Sequence, residues 1–346
     1  MKLLLIGLDG VRIDLAVPAA LTLHPGFAAP DHDGDPRFAA EAPVPGAPAM
    51  PEPVAAPAAP TLARLIDGGA VLPVWMTPPT DSGPGWSSLL TGTRHEQNNV
   101  WWNEFAGHRL ARTPDVLSRI FFAEPSARTY AAATWDALVG AAGPGPVIHQ
   151  RVDQQRGGQH QLMAASDFSR GCASADIQVR THATGVLNHE GPDAAFVYFE
   201  GADEAGHAHG AASREYRAAI GAVDEHVRHL VKAVSERYEA IGEEWLIAVV
   251  TDHGHKPEGG HGEDEVDVRR SFLALHVVGG PDAAERLRSR IAGEGSLRSE
   301  DVTPLLLRLL GVTGGRWDAG HEVGVRCDIE TAGESAGPTR NLAYEW

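Results

Sequence analysis

The sequence predicts an α/β protein with a mostly parallel central sheet and helices on both faces. Three observations carry this reading. Short apolar runs rich in β-branched and aromatic residues recur along the chain, helical patterns separate them, and acidic or imidazole residues stand directly after several of the runs. Strands that alternate with helices need crossover connections, which set the strands parallel and cover both faces of the sheet.

The elements follow in chain order. The opening MKLLLIGL ends at Asp9, too early for the apolar region of a signal peptide or for a membrane helix, so it reads as a first strand. On that reading the chain carries no export signal and no membrane span, and a reducing cytoplasm is the expected compartment. Residues 16–60 are rich in proline and alanine without an apolar period and are expected as an irregular insertion. Its His24, Asp31, His32, Asp33 and Asp35 are ligand types, but in a proline-rich loop they are expected to be solvated. VLPVWM (71–76) is a further apolar run, and TPPTDSGPGWSSLLTG (77–92) follows it as a proline-glycine turn leading into a helix start.

RTYAAAT (128–134), AAFVYFE (194–200), WLIAVVT (245–251) and FLALHVV (272–278) read as strands. Between two of them Tyr216, Ile220, Val223, Val227, Leu230, Val231 and Val234 recur at three or four residues, which is one face of an amphipathic helix with Ser213 as its N-cap. There is no internal repeat and no second break in composition. Residues 1–346 are therefore expected as one domain, with 135–190 as a cap or insert segment.

Composition excludes several functions. The chain has 29 basic and 46 acidic residues and a formal charge of -17, which repels a long polyanion and argues against extended nucleic-acid binding. Its two cysteines, Cys172 and Cys327, make neither a disulfide framework nor a thiolate cluster. A metal site would have to use oxygen and nitrogen.

In open parallel sheets ligands bind at the carboxyl ends of the strands. Asp9 follows the first strand, Asp203 follows AAFVYFEGA with His207 four residues on, Asp252 and His253 follow WLIAVVT, and His261 lies in the glycine-rich stretch beyond. Carboxylates gathered at one rim repel one another, and a divalent cation resolves the repulsion. Carboxylate and neutral imidazole suit Zn²⁺ or a similar ion, and a pair of such ions commonly acts on phosphoryl groups. Thr80, Ser82, Ser87 and Ser88 offer hydroxyls beside a helix start, where they serve as nucleophile or as caps and turn formers. Trp75, Trp86, Trp101, Trp102 and Phe105 supply either a stacking wall for a flat leaving group or core.

The ordered set GLDG (7–10), SLLTG (88–92), DEAGH (203–207), TDHGH (251–255), GGHG (259–262) and EDVTPLLLRLLG (300–311) resembles the alkaline phosphatase superfamily, and within it the nucleotide pyrophosphatase/phosphodiesterase branch. The resemblance covers most of the chain outside 16–60 and roughly 135–190. It implies an alkaline phosphatase-like fold and two divalent metal ions, zinc by preference. Asp9, Ser82, Asp252 and His253 match the ligands of one ion, and Asp203, His207 and His261 those of the other. Counting back from Thr91-Gly92 puts Ser82, not Thr80, at the nucleophile position, and Asn103 falls where the branch holds a phosphoryl oxygen. His209 and His255 match no family ligand and are expected to be supporting or solvated.

The implied activity is hydrolysis of phosphodiester or nucleotide pyrophosphate bonds in small phosphate esters through a phosphoserine. Phosphomonoesters or phosphonates are the alternative substrates, and a non-catalytic metal-binding scaffold is the alternative role. Two departures bear on substrate. Ser82-Gly83-Pro84-Gly85 stands where the branch commonly has threonine followed shortly by Pro-Asn, and Trp86 stands where sulfatases need an arginine.

Overall fold

Alternation along the first strand divides the protein into two cores. The computed structural model describes residues 1–28, 48–50, 56–262 and 264–312. In β1 (Lys2–Leu8), Leu4, Ile6 and Leu8 enter one apolar layer and Leu3 and Leu5 the other. A strand buried on both faces needs the unbroken apolar run seen in its sequence.

The chain continues through α1 (Ile13–Ala16), α2 (Pro60–Gly68), β2 (Ala70–Trp75), α3 (Ser82–Thr91), α4 (His95–Asn98) and α5 (Val116–Ala123). Next come β3 (Thr129–Ala133), α6 (Asp136–Val139), α7 (Val152–Arg156), β4 (His160–Ala164), β5 (Ser169–Gly171) and α8 (Cys172–His189). Then follow β6 (Ala194–Phe199), α9 (Gly201–His209), α10 (Arg214–Ile241), β7 (Trp245–Val250) and α11 (Val266–Arg269). β8 (Arg270–Val278), α12 (Ala283–Ile291), β9 (Leu297–Arg298) and α13 (Val302–Leu310) complete the described chain.

Eight strands form one sheet in the order β4-β3-β6-β1-β7-β8-β2-β9. Neighbours are parallel except at β8, which runs antiparallel to both β7 and β2. Two reversals return β2 to the direction of β1, so β1, β2, β6 and β7 all end at the same edge. Helices α2, α8 and α10 cover one face through Leu62, Val179 and Val227. Helices α3, α5, α12 and α13 cover the other through Leu89, Leu117, Leu287 and Leu306.

The strands expected at 128–134, 194–200, 245–251 and 272–278 are β3, β6, β7 and β8. Segment 135–190 supplies β4, which extends the sheet beside β3, and α8, which packs on α10 and β6. Of the ligand-type residues in the 16–60 insertion, Asp31, His32, Asp33 and Asp35 lie outside the described residues. His24 is not solvated as expected. Its Nδ1 accepts a hydrogen bond from the Gly26 amide at 3.0 Å and its Nε2 lies 3.3 Å from the Glu294 carbonyl, so it caps a short turn against the C-terminal part of the chain.

Helix α10 begins where the apolar stripe predicts. Ser213 Oγ accepts the amide of Tyr216 at 3.0 Å, and Gly242 ends the helix in the left-handed conformation that glycine takes without a Cβ clash. Ser213→Ala should lower stability by about 1 kcal/mol, read as a shift of the urea midpoint with the slope unchanged.

Candidate active site

The acidic and imidazole residues named by the sequence meet at the shared strand edge. Asp9 leaves β1, Asp203 and His207 lie on α9 just after β6, Asp252 and His253 leave β7, and Ser82 opens α3 beyond β2. Asp9, Ser82, Asp203, Asp252 and His253 are buried, whereas the His207 side chain is 51% exposed and stands at the rim.

Their donor atoms converge in overlapping groups. Asp9, Asp252 and His253 form one, Asp203, His207 and His261 a second, and Asp203 also groups with His253 and His255. Around His253 Nε2 lie Ser82 Oγ at 3.1 Å, Asp9 Oδ1 at 3.3 Å and Asp252 Oδ2 at 3.4 Å, and Ser82 Oγ is 3.4 Å from Asp9 Oδ1. In the second group His207 Nε2 is 3.0 Å from His261 Nε2 and 3.5 Å from Asp203 Oδ2, while His261 Nε2 is 3.6 Å from Asp203 Oδ1.

These separations suit a cation. A tetrahedral ion with ligands at about 2.0–2.1 Å keeps them about 3.3 Å apart, which is the spacing found here. Hydrogen bonding points the same way. His253 Nδ1 donates to the Gly254 carbonyl at 3.0 Å and His261 Nδ1 to the Thr80 carbonyl at 2.8 Å, which leaves each Nε2 with its lone pair turned inward. Asp252 Oδ2 is buried without a hydrogen-bond partner. Lone pairs facing lone pairs in a buried site need positive charge between them.

The electrostatics express the same need. Burial, and then the nearby Asp203, push Asp9 up to about 7. Burial also raises Asp203 to about 6, and it raises Asp252 well above the carboxylate range with Asp9 and Asp203 adding to the effect. Glu200 reaches about 8 through burial and the charges of Asp9, Asp203 and Asp176. The imidazoles move oppositely. Burial lowers His253 well below its ordinary value, takes His255 down to about 4 and takes His261 down to about 3. Neutral imidazole is the ligand form.

The type I phosphodiesterase / nucleotide pyrophosphatase family model matches residues 52–273, well over half of the 346-residue chain. The chain belongs to this family. It thereby stands in the alkaline phosphatase superfamily, as its ordered motifs imply. No curated protein matches it in sequence.

Among solved structures, murine ectonucleotide pyrophosphatase/phosphodiesterase 5 is similar at 14% identity and a TM-score of 0.55, over 90% of this chain and 96% of that one. A putative sulfatase from Bacteroides thetaiotaomicron is similar at 12% identity and a TM-score of 0.56, over 93% and 73%. Phosphonoacetate hydrolase from Sinorhizobium meliloti aligns at 15% identity with a TM-score of 0.45, and the chain spans 56% of its length. At such identities the first two likenesses show the fold alone.

Within this family member the hydroxyl candidates separate by geometry. Thr80 is buried and turned to the opposite loop, its Oγ1 accepting the Gly262 amide at 2.9 Å. Ser88 Oγ lies 3.3 Å from His95 Nδ1, and Ser87 Oγ is buried with no partner. Ser82 alone of the four has its hydroxyl among the ligand atoms. Asn103 sits beside it, exposed, with Oδ1 accepting the Gly83 amide at 2.7 Å, which leaves Nδ2 as the free donor. A Cβ on Gly83 would lie 3.0 Å from both Asn103 Oδ1 and the Trp102 carbonyl, so the close approach depends on glycine.

Of the two readings open for the aromatic residues, most of them take the core one. Trp75, Trp86 and Phe105 are buried in the core and cannot stack on a substrate, Trp101 is half-buried against His95, and Trp102 is 60% exposed. Trp86 has a different task. Its Nε1 donates to Asp9 Oδ2 at 2.9 Å, and the Tyr198 hydroxyl donates to the same oxygen, so Asp9 Oδ1 is left facing Ser82 and His253.

His255 was expected to be supporting or solvated, and it is fully buried. Its Nε2 lies 2.8 Å from Asp203 Oδ1, and a Cβ on Gly206 would come within 2.4 Å of its ring. The sequence held one usable signal, since residues two apart on extended chain share a face and His255 stands two after His253. His209 is exposed near the end of α9.

The shifts of Asp9 and Asp203 fix a pH dependence. Their folded values lie above the ordinary carboxylate value of about 4, so the metal-free folded protein holds protons that the unfolded chain has released, and its stability falls as pH rises through about 6 to about 7. A divalent cation favours the charged carboxylates and opposes this loss. The rise in melting temperature on adding Zn²⁺ to chelator-treated protein should therefore be small near pH 5 and grow toward about pH 8. A gain that is flat across that interval would exclude these carboxylates as ligands.

Proposed function

We propose that the chain hydrolyses small phosphodiesters, nucleotide-type esters included, by forming and then cleaving a phosphoserine at Ser82. The family supports a phosphoric ester hydrolase, and the observation that carries the finer reading is Ser82 Oγ lying 3.4 Å from Asp9 Oδ1 and 3.1 Å from His253 Nε2 at the start of a buried helix. Asp9, Asp252 and His253 with Ser82 would hold one divalent ion, and Asp203, His207 and His261 a second, with zinc suited to this mix of oxygen and nitrogen donors. When bound, the ions would polarise the phosphoryl group and stabilise charge on the entering and departing oxygens.

The remaining work belongs to side chains. Ser82 Oγ attacks phosphorus, the bond to the leaving oxygen breaks, and water then cleaves the phosphoserine and restores the hydroxyl. Asn103 Nδ2, oriented by the Gly83 amide on Oδ1, donates to a non-bridging phosphoryl oxygen. The first turn of α3 adds the positive end of its backbone dipole. Trp102, exposed next to Asn103, offers a surface on which a flat ester group can pack.

Ser82→Ala should reduce turnover on the order of a thousandfold or more, because the attacking atom and its activation are lost together. Metal content, read by elemental analysis, should change little since Asp9, Asp252 and His253 remain. If Thr80→Ala is the inactive variant and Ser82→Ala still turns over, the nucleophile assignment is wrong.

Diesters should be preferred over monoesters. No Arg or Lys occurs from Val71 to Thr93, and a neutral amide at Asn103 suits the single charge of a diester, whereas a guanidinium would reward the second charge of a monoester. The check is kcat/KM for a diester and a monoester that share one aryl leaving group, corrected for their uncatalysed rates. A corrected ratio in favour of the monoester would move the chain to phosphomonoester hydrolysis with the same residues.

A further inference from the structure

Arg12 follows the first strand closely and is 2% exposed, yet it touches neither Ser82 nor any of the proposed ligand side chains. Its guanidinium is fully engaged. Nε and Nη2 reach Asp14 at 3.0 and 2.7 Å, Nη2 also meets Asp267 Oδ2 at 2.9 Å, and Nη1 donates to the carbonyl of His255 at 2.9 Å. These partners belong to different parts of the centre. Asp14 lies on α1 just after the turn that carries Asp9, His255 belongs to the loop that carries Asp252 and His253, and Asp267 lies on α11 where that loop returns to the sheet.

Neighbouring bonds tie the same two segments and anchor the first of them to α10. The Val11 amide donates to Thr251 Oγ1 at 3.0 Å and Thr251 Oγ1 donates to the His253 carbonyl at 3.1 Å, while the Arg12 amide donates to the hydroxyl of Tyr216 on α10 at 3.1 Å. Gly254 is pressed against the arginine. A Cβ there would lie 2.9 Å from Arg12 Cγ and 2.3 Å from the Asp267 carbonyl, so the loop closes on Arg12 between His253 and His255.

A buried ion cluster of this kind contributes little net stability over well-packed apolar residues, because desolvation offsets its attraction. What a planar guanidinium supplies is fixed direction toward several acceptors at once. We propose that Arg12 is the positioning residue that sets the spacing between the Asp9 side of the metal centre and the Asp252–His253 side. This inference rests on the metal-centre reading above.

The test is Zn²⁺ affinity of the full chain by competition with a chromophoric chelator, together with the visible spectrum of the Co²⁺-loaded protein. Lysine at position 12 keeps the charge but gathers three donors on one atom, so it cannot reproduce the four contacts that Arg12 makes from three nitrogens. Arg12→Lys should fold, bind Zn²⁺ about 10- to 100-fold more weakly, the usual effect of losing a residue that orients ligands, and give an altered Co²⁺ spectrum. Folded Arg12→Lys with wild-type affinity and an unchanged Co²⁺ spectrum would overturn the proposal, leaving Arg12 a structural residue.

Should that variant fail to fold, Asp267→Ala decides, because Asp267 is 41% exposed and truncation removes the carboxylate that Arg12 Nη2 meets. A several-fold weaker Zn²⁺ affinity supports the proposal, and wild-type affinity overturns it. Wild-type protein that binds no Zn²⁺ sinks the metal-centre reading and this inference together, whereas normal wild-type binding with unaffected variants sinks the inference alone.

Discussion

Mutual repulsion of buried carboxylates is the constraint around which the rest of this structure is arranged. Asp9, Asp203 and Asp252 are nearly or fully removed from water; Asp203 raises the proton affinity of Asp9, and Asp9 and Asp203 both raise that of Asp252. Left to themselves they would be protonated or would open the fold to solvent. The histidines relieve them only in part: His255 lowers Asp9 and His207 lowers Asp203, but burial holds His253, His255 and His261 toward the neutral form. Only a cation answers both facts, since it favours carboxylate over carboxylic acid and accepts the lone pairs of neutral imidazoles.

Such a centre demands rigidity, and the fold supplies it from both faces of the sheet. β1, β6 and β7 are hydrogen-bonded neighbours, so the chain exits that bear Asp9, Asp203 and Asp252 are held at strand spacing. Helix α3 is buried along its whole length, with Thr303 Oγ1 of α13 donating to the Leu89 carbonyl at 2.7 Å, and this fixes Ser82 relative to the strands. The proposed nucleophile, carried by a buried helix, and the proposed ligands, carried by adjacent strand ends, cannot drift apart independently. His207 and Asn103 are the exposed members of the set.

What the sequence revealed follows from the range of the physics involved. Asp9, Asp203 and Asp252 were legible because each follows an apolar run, and the parallel-sheet rule converts such positions into one edge. The motif pointed to Ser82, while the reason the Thr80 hydroxyl is turned away from the ligand atoms was not legible. That reason is a contact of Thr80 Oγ1 with the Gly262 amide, 182 residues away in sequence. The place of Trp86 stayed open for a related cause. Tryptophan density signals core and pocket equally, and only the fold shows its indole bonded to Asp9. The antiparallel course of β8 was hidden because its run FLALHVV is buried either way, and an apolar run carries no sense of direction.

The two shells of the centre differ in charge, and that difference bears on selection of substrate. The donors that hold Asp9 Oδ2 are neutral, a tryptophan N–H and a tyrosine O–H, and the donor on Asp203 Oδ1 is an imidazole that burial keeps neutral. Cationic partners there would cancel the carboxylates before any metal arrived. Neutral donors orient them and leave their charge to be met by metal. On the two-ion reading, three carboxylates against two divalent ions leave roughly one positive charge in a buried site. Beyond a screening length of about 8–10 Å the acidic surface of a chain with formal charge -17 dominates and repels long polyanions, while within it the site attracts one phosphoryl group. On that two-ion reading the combination favours a small anionic ester over a polymer.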